Sequence, residues 1–292
     1  LSLALANPSL ISPEMNRNLS LNFVNSFAGT NFGFASYGFN LNKLGSFAGT
    51  MQYYSYGKSD NTTESGEVLG QFNAAEYAFN LGWGRMLDSV FSIGANFKMI
   101  YSGLETYNSL GMAVDVAGSY MPNESFCASL LFRNIGRQLT TYTSGGVEPL
   151  PFEIQAGISK KLAHVPFRYS LLLQHLEKWD LGYTDPNAPV DPFTGLATKE
   201  SGVDAFSKNA LRHIIIGGEF VPSKFLSIRL GYNYLRRQEM AVSTKPGMVG
   251  FSWGIGLRVS KFNFSYSRAA YHLVGSPNFI SIGTNLGDWS KK

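Results

Sequence analysis

Apolar and polar residues alternate with a period of two from about residue 19 to the end of the chain. The clearest run sets Phe91, Ile93, Ala95, Phe97, Met99 and Tyr101 against Ser92, Gly94, Asn96, Lys98 and Ile100. A strand sends these two sets to opposite faces, whereas a helix would scatter them around its axis. Tyr77, Phe79, Leu81 and Trp83 oppose Glu76, Ala78, Asn80 and Gly82 in the same way. So do Phe251, Trp253, Ile255, Leu257 and Val259 against Ser252, Gly254, Gly256, Arg258 and Ser260. The second face is small or polar and sometimes charged. Fourteen such segments are predicted, at 19–26, 32–41, 45–56, 74–84, 89–101, 109–120, 124–134, 152–162, 167–176, 209–220, 225–236, 249–260, 262–271 and 278–287. Most are near the ~9–11 residues with which a tilted strand crosses a bilayer.

The connections alternate as well. Those after even-numbered segments are tight, at Asn42-Lys43, Arg85–Asp88, Met121–Asn123, Ala163–Pro166, Val221–Lys224 and Lys261. Those after odd-numbered segments are mostly long, at 57–73, 135–151, 177–208 and 237–248, although the first, around Ala28-Gly29-Thr30, is short. Bacterial barrels alternate short periplasmic turns with longer external loops. The expected fold is therefore all-β: a transmembrane antiparallel up-and-down β-barrel of about fourteen strands, with both termini periplasmic. A soluble sandwich would also alternate, but its connections need not, and it would carry more Lys and Glu outside. Residues 1–18, with the turn formers Asn7-Pro8 and Ser12-Pro13, break the pattern. They are expected as a plug-like or periplasmic segment, at the mouth or in the lumen of a barrel spanning 19–292.

Composition sharpens this picture. Over 292 residues aromatics reach 14% and charged residues only 15%, against roughly 25% charged in soluble domains. A barrel in lipid needs that balance. No stretch approaches the ~18–20 consecutive apolar residues of a membrane helix; the best runs are Tyr169–Leu173 and Ile214–Gly218. Net charge is +4 with no basic block beyond Arg236-Arg237, which gives nucleic-acid binding no support. The single cysteine, Cys127, excludes an internal disulfide and is expected inside the barrel as a small filler. The chain opens at Leu1 without an initiator methionine or signal peptide and is read as processed or trimmed.

Catalytic chemistry is not signalled. His164, His175, His213 and His272 lie in separate segments without metal-ligand spacing, and no nucleophile elbow, Walker loop or zinc-protease helix is present. No enzyme activity, cofactor or metal is expected. Asp180, Asp185, Asp191, Glu200 and Asp204 bias the 177–208 loop towards acid, but their spacing fits no EF-hand. A solvated loop is the simpler reading. The face assignment puts Glu76, Lys98, Asp115, Arg133, Glu153, Arg168, Glu219, Arg229, Arg258 and Arg268 on the lumen side. Buried unpaired charges are costly, so a cross-strand charge network is expected there in preference to a solute-selective pore. In the 177–208 loop, Trp179, Tyr183, Phe193 and Phe206 are candidate partner-docking anchors, since rigid aromatics make interface hot spots. For Trp179 an aromatic girdle at the membrane interface is the competing reading.

Several stretches, in order along the whole chain, resemble one family. Leu3-Ala-Leu-Ala-Asn-Pro-Ser-Leu10 with Ser12-Pro-Glu-Met15 is similar to the opening of the PorV/PorQ family of outer-membrane barrels. Phe132-Arg-Asn-Ile-Gly136, Leu150-Pro-Phe-Glu-Ile154, Ile158-Ser-Lys-Lys-Leu162 with Pro166-Phe167, and Leu173-Gln-His-Leu-Glu-Lys-Trp-Asp180 resemble its PorQ branch, as does the closing Ile282-Gly-Thr-Asn-Leu-Gly-Asp288. The signal peptide and short segment that usually precede the Asn-Pro region are missing. The resemblance implies a fourteen-stranded barrel related in fold to the long-chain fatty-acid transporter FadL, in the outer membrane of a Gram-negative bacterium. It also implies a part in the type IX secretion system of Bacteroidota. There such a barrel would hold a PorZ-like surface protein of the attachment complex, with PorU- and PorV-like proteins and, indirectly, lipopolysaccharide. By fold analogy alone the alternative is a FadL-like transporter of hydrophobic small molecules, and a general porin stands third.

Overall fold

The computed structural model describes residues 1–292 apart from 27–28, 144, 183–201, 243–244, 246 and 291–292. All fourteen alternating segments form strands. In chain order they are β1 (Asn18–Asn25), β2 (Asn31–Asn40), β3 (Ser46–Thr62), β4 (Val68–Met86), β5 (Phe91–Leu104), β6 (Tyr107–Asn123) and β7 (Phe126–Thr140). There follow β8 (Glu153–Lys161), β9 (Phe167–Leu173), β10 (Ile214–Ser223), β11 (Leu226–Asn233), β12 (Phe251–Val259), β13 (Phe262–Ala269) and β14 (Asn278–Asn285). Each pairs antiparallel with its neighbours in sequence, and β14 returns to β1 with Ile282 opposite Leu21, so the sheet closes. Closure leaves no free edge of the ring, which is what allows a sheet to sit in hydrocarbon.

The two faces are inverted relative to a soluble domain. On β5, Ser92, Gly94, Asn96, Lys98 and Ser102 are buried in the interior, while Phe91, Phe97, Met99 and Tyr101 stand exposed outside. The other strands follow suit, with Leu21, Phe79, Leu230, Leu257 and Ile280 all exposed on the outer surface. A ring of apolar side chains facing outwards around a polar interior is the arrangement of a transmembrane barrel.

Several boundaries differ from the sequence expectation: β7 runs on to Thr140, so residues 135–140 of the expected 135–151 loop are strand, β9 ends at Leu173 rather than at 176, and three further differences shape the rim. Residues 57–73 do not form an open loop, because β3 and β4 stay paired far beyond the apolar band, with Lys58 opposite Asn73 and Thr62 opposite Val68. A bulge between Ser55 and Lys58, with Gly57 at φ 82, lets the hairpin continue as a polar extension. Residues 209–212, expected at the start of a strand, end helix α2, whose described span is Gly202–Arg212. Residues 234–236, expected at the end of one, open helix α3 (Tyr234–Met240), where the Asn233 side chain caps the Arg236 N–H at 3.0 Å. The wall is consequently uneven: β3 to β7 have 14–19 residues each, β8 to β14 only 7–10.

Candidate functional site: a plugged lumen and a loop-end cluster

The first residues lie inside the barrel at its short-turn end, against β2 to β6. They form a single helical turn, α1 (Leu3–Ala6), and two 3-10 turns (Pro8–Leu10, Pro13–Met15), the first of which starts where the Asn7 side chain accepts the Ser9 N–H. The wall reaches in to hold them. Ser92 Oγ donates to the Ser9 carbonyl at 2.7 Å, Asn96 Nδ2 donates to the Ala4 carbonyl at 3.2 Å, and the Ser9 and Ser119 hydroxyls meet at 2.6 Å. Ala4 and Ile11 pack on Ala48 of β3 with Leu1 and Met15 beside them, so an apolar core sits within the barrel rather than outside it. The interior glycines make this possible: a Cβ on Gly94 would lie 2.3 Å from the Pro8 carbonyl, and one on Gly84 2.6 Å from that of Ile11.

The opposite interior wall is lined by small polar residues and stays open. A cavity of about 440 Å³ lies there, bordered by Ser20, Ser227, Gly256, Ser265, Arg229 and Arg258. Leu1, Val221, Phe225 and Leu226 border it as well, so its lining is mixed.

Nine of the ten charges expected in the lumen are on its face. Lys98 and Asp115 form an ion pair at 2.7 Å, with Asp115 only 1% exposed. The pair is built by a bulge: Val114 faces Ile135 and Val116 faces Phe132, so Arg133 and Asn134 together oppose Asp115. Asn134 takes φ 56, a conformation asparagine tolerates, and its N–H donates to Asp115 Oδ1 at 2.8 Å while its side-chain oxygen accepts from Lys98 Nζ at 2.9 Å. Glu219 and Arg229 face each other across β10 and β11 and pair at 2.8 Å. Arg133 and Glu153, opposite on β7 and β8, approach to 3.9 Å. Glu76 accepts from Ser102, and Arg168 reaches Ser159 and the Glu124 carbonyl. Cys127 shares the inner face, opposite Ser159.

Arg268 corrects the expectation. Its register partners are Trp253 on β12 and Asn278 on β14, and it shares parity with Phe262, Phe264 and Tyr266. It therefore stands on the outer surface, where it is exposed. The alternation itself carried this: Arg268 falls on the apolar phase of its own strand.

At the long-loop end, three of the stretches quoted above meet. The Asn134 amide donates to the Pro151 carbonyl at 2.8 Å. Beside it His175, at φ 54, lies 3.2 Å from Glu177 and 3.9 Å from Glu153. The Glu177 carboxylate accepts the Ile154 N–H at 2.8 Å, and the Leu176 N–H donates to the Ile154 carbonyl at 3.0 Å. Burial works to raise the Glu177 carboxyl, yet the Ile154 N–H and His175 outweigh it and hold the group below the usual carboxylate range. Above this cluster His213 bridges two carbonyls, those of Gln174 at 2.8 Å and Trp179 at 3.0 Å. Asn209 of α2 ties the same turn by contacting the Trp179 carbonyl and accepting the Leu181 N–H. Trp179 stacks on His213 and packs on Phe206, ring centroids 5.4 and 5.2 Å apart, while staying 54% exposed; Phe206 is 60% exposed. The two remaining aromatic anchors, Tyr183 and Phe193, lie outside the described residues. Sequence reading singled out Trp179 and Phe206 separately, but not Asn209 and His213, which fix them; neither sits in a motif.

No family model and no curated protein matches the chain. Solved structures do. The Pseudomonas putida toluene transporter TodX aligns over 97% of this chain and 93% of its own, with 11% identity and a TM-score of 0.53. A Pseudomonas aeruginosa FadL homologue aligns over 97% and 94%, with 10% identity and a TM-score of 0.51. At these identities the likeness is one of fold: the chain is a closed fourteen-stranded barrel of the FadL-like architecture.

Proposed function

We propose that this protein is a non-enzymatic outer-membrane anchor of a Gram-negative bacterium, a PorQ-type component of the type IX secretion system. In this reading it holds a PorZ-like member of the surface attachment complex by its external loops. The observation that supports it is the loop-end cluster. Residues 132–136, 150–154 and 173–180, which carry the sequence resemblance, are far apart in the chain yet joined by hydrogen bonds beneath the exposed Trp179–Phe206 pair. A fixed aromatic pair on a braced platform is what an interface hot spot needs, because little freedom is lost on binding. The interior is consistent with an anchor: the plug takes one side, and the space opposite carries Arg229 and Arg258 among a mixed polar and apolar lining.

The structural neighbours favour a second reading, transport of small hydrophobic molecules, since TodX is a toluene transporter and shares the fold. That reading needs an apolar route along the lumen, against which the Lys98–Asp115 pair and the arginine-lined cavity weigh. Affinity capture of the full chain from native outer membranes, with mass spectrometry of what accompanies it, tests the first. A surface protein should be recovered with wild type and lost with the Trp179→Ala/Phe206→Ala double variant or on deletion of 185–203. Undiminished recovery from both removes the platform from the case. Saturable uptake of a fluorescent fatty acid into liposomes holding the protein would instead establish transport.

A further inference from the structure

Arg268 is an exposed guanidinium on the face that meets lipid, and it has no ion-pair or hydrogen-bond partner among the described residues. Its depth makes this costly. The base of β13 is fixed at the short-turn interface, where Trp289 packs edge-on against Phe262 at 5.4 Å and Lys261 lies over the Trp289 ring at 4.7 Å. From Phe262 to Arg268 is six residues, about 15 Å of height at ~3.3 Å per residue and a tilt near 40°. A barrel's apolar band is about 25 Å tall. On β5 the outer face stays uncharged from Phe91 to Tyr101, ten residues and about 25 Å by the same geometry. Bilayer of ordinary thickness would thus bring acyl chains past Arg268.

The surroundings of Arg268 are those of a headgroup zone. Trp253, beside it on β12, and Tyr266, one step lower on β13, pack edge-on at 5.6 Å, an aromatic pair of the kind found at membrane interfaces. The Tyr266 hydroxyl donates to Asn278 Oδ1 at 2.8 Å, which leaves the Asn278 amide N–H donors beside Arg268. The row continues through Asn25, opposite Asn278, and Asn31, opposite Asn25, each on the outward parity of its strand. From these positions we infer that Arg268 and Asn278 bind the anionic, phosphate-bearing headgroup of an outer-leaflet lipid. The binding draws that leaflet inward along β13 and β14, the low side of the wall. A guanidinium presents paired donors to phosphate oxygens, and a bilayer thins to meet a short apolar span.

The test uses the full chain in phosphatidylcholine nanodiscs doped with phosphorylated lipid A, its bound lipids counted by native mass spectrometry. Wild type should retain lipid A in preference to a dephosphorylated analogue. Arg268→Gln should lower that retention about tenfold, the loss of one charge-assisted contact. Arg268→Lys should keep part of it, and Arg258→Gln, inside the barrel, should keep all of it. Heat-modifiable migration on gels checks that each variant is folded. Equal retention by wild type and the glutamine variant overturns the assignment. So does competition by millimolar inorganic phosphate, which would mark a free-anion site rather than a lipid site.

Discussion

The seating of the amino-terminal segment depends on a missing side chain, and Gly94→Ala probes it directly. A Cβ at that position would lie 2.3 Å from the Pro8 carbonyl and 2.5 Å from the Ser9 nitrogen, both backbone atoms with no rotamer to yield. Ordinary contact needs roughly 1 Å more, so the segment must lift from the wall. Lifting stretches three hydrogen bonds at once, from Ser92 to Ser9, from Asn96 to Ala4, and between Ser9 and Ser119. At about 1 kcal/mol each the plug loses about 3 kcal/mol, close to a hundredfold in its open population. The assay is maleimide labelling of Ala4→Cys in a Cys127→Ala background, since Ala4 is buried only while the plug is seated. Gly49→Ala, where a Cβ meets nothing within 4 Å, is the matched control. Labelling should accelerate about a hundredfold in the Gly94 variant, by the arithmetic above, and not in the Gly49 variant. Equal rates in both would refute the idea that the wall's glycines hold the plug.

Replacing Lys98 with Met leaves the Asp115 carboxylate buried without its cation. It should destabilise the barrel by about 3–5 kcal/mol, read as a lower temperature for heat-modifiable gel migration; adding Asp115→Leu should recover most of the loss. Glu177 should make the loop-end cluster acid-sensitive. Its carboxyl is held low in the fold, so its contribution is complete above the ordinary carboxylate pKa and is lost as pH falls through the lower folded value. Trp179 fluorescence should report loosening in that acid range for wild type, and Glu177→Gln should flatten the transition; an identical profile in the variant contradicts this.

The strand register was legible because lipid imposes a strict rule on alternate residues. Phe97 and Met99 must face out and Asn96 and Lys98 in, whatever the neighbouring strands do. The same rule places nine of the ten charges inside, and Arg268 outside, because it sits on the apolar phase of β13. Above the membrane the rule lapses. The hairpin Lys58–Asn73 is mostly polar but exposes Val68 and Leu69 on its two faces, and residues 209–212 adjoin the apolar run at Ile214 yet are helical, so period-two reading fails where neither face must be apolar. The Lys98–Asp115–Asn134 bulge also escaped notice, since the one-residue shift that creates it interrupts alternation rather than marking it. Nor could spacing show that Asn134, Ile154 and Glu177 converge, which depends on three separate strand ends meeting at one rim.

Everything rests on the first and last strands meeting. Phe23→Cys and Ile280→Cys, opposite one another across β1 and β14, can be introduced together into a Cys127→Ala chain and oxidised in native membranes. A closed ring gives a cross-linked chain of altered mobility on denaturing gels, as readily as Phe23→Cys with Gly33→Cys across β1 and β2. Cross-linking of the second pair without the first would show an open sheet and contradict the barrel.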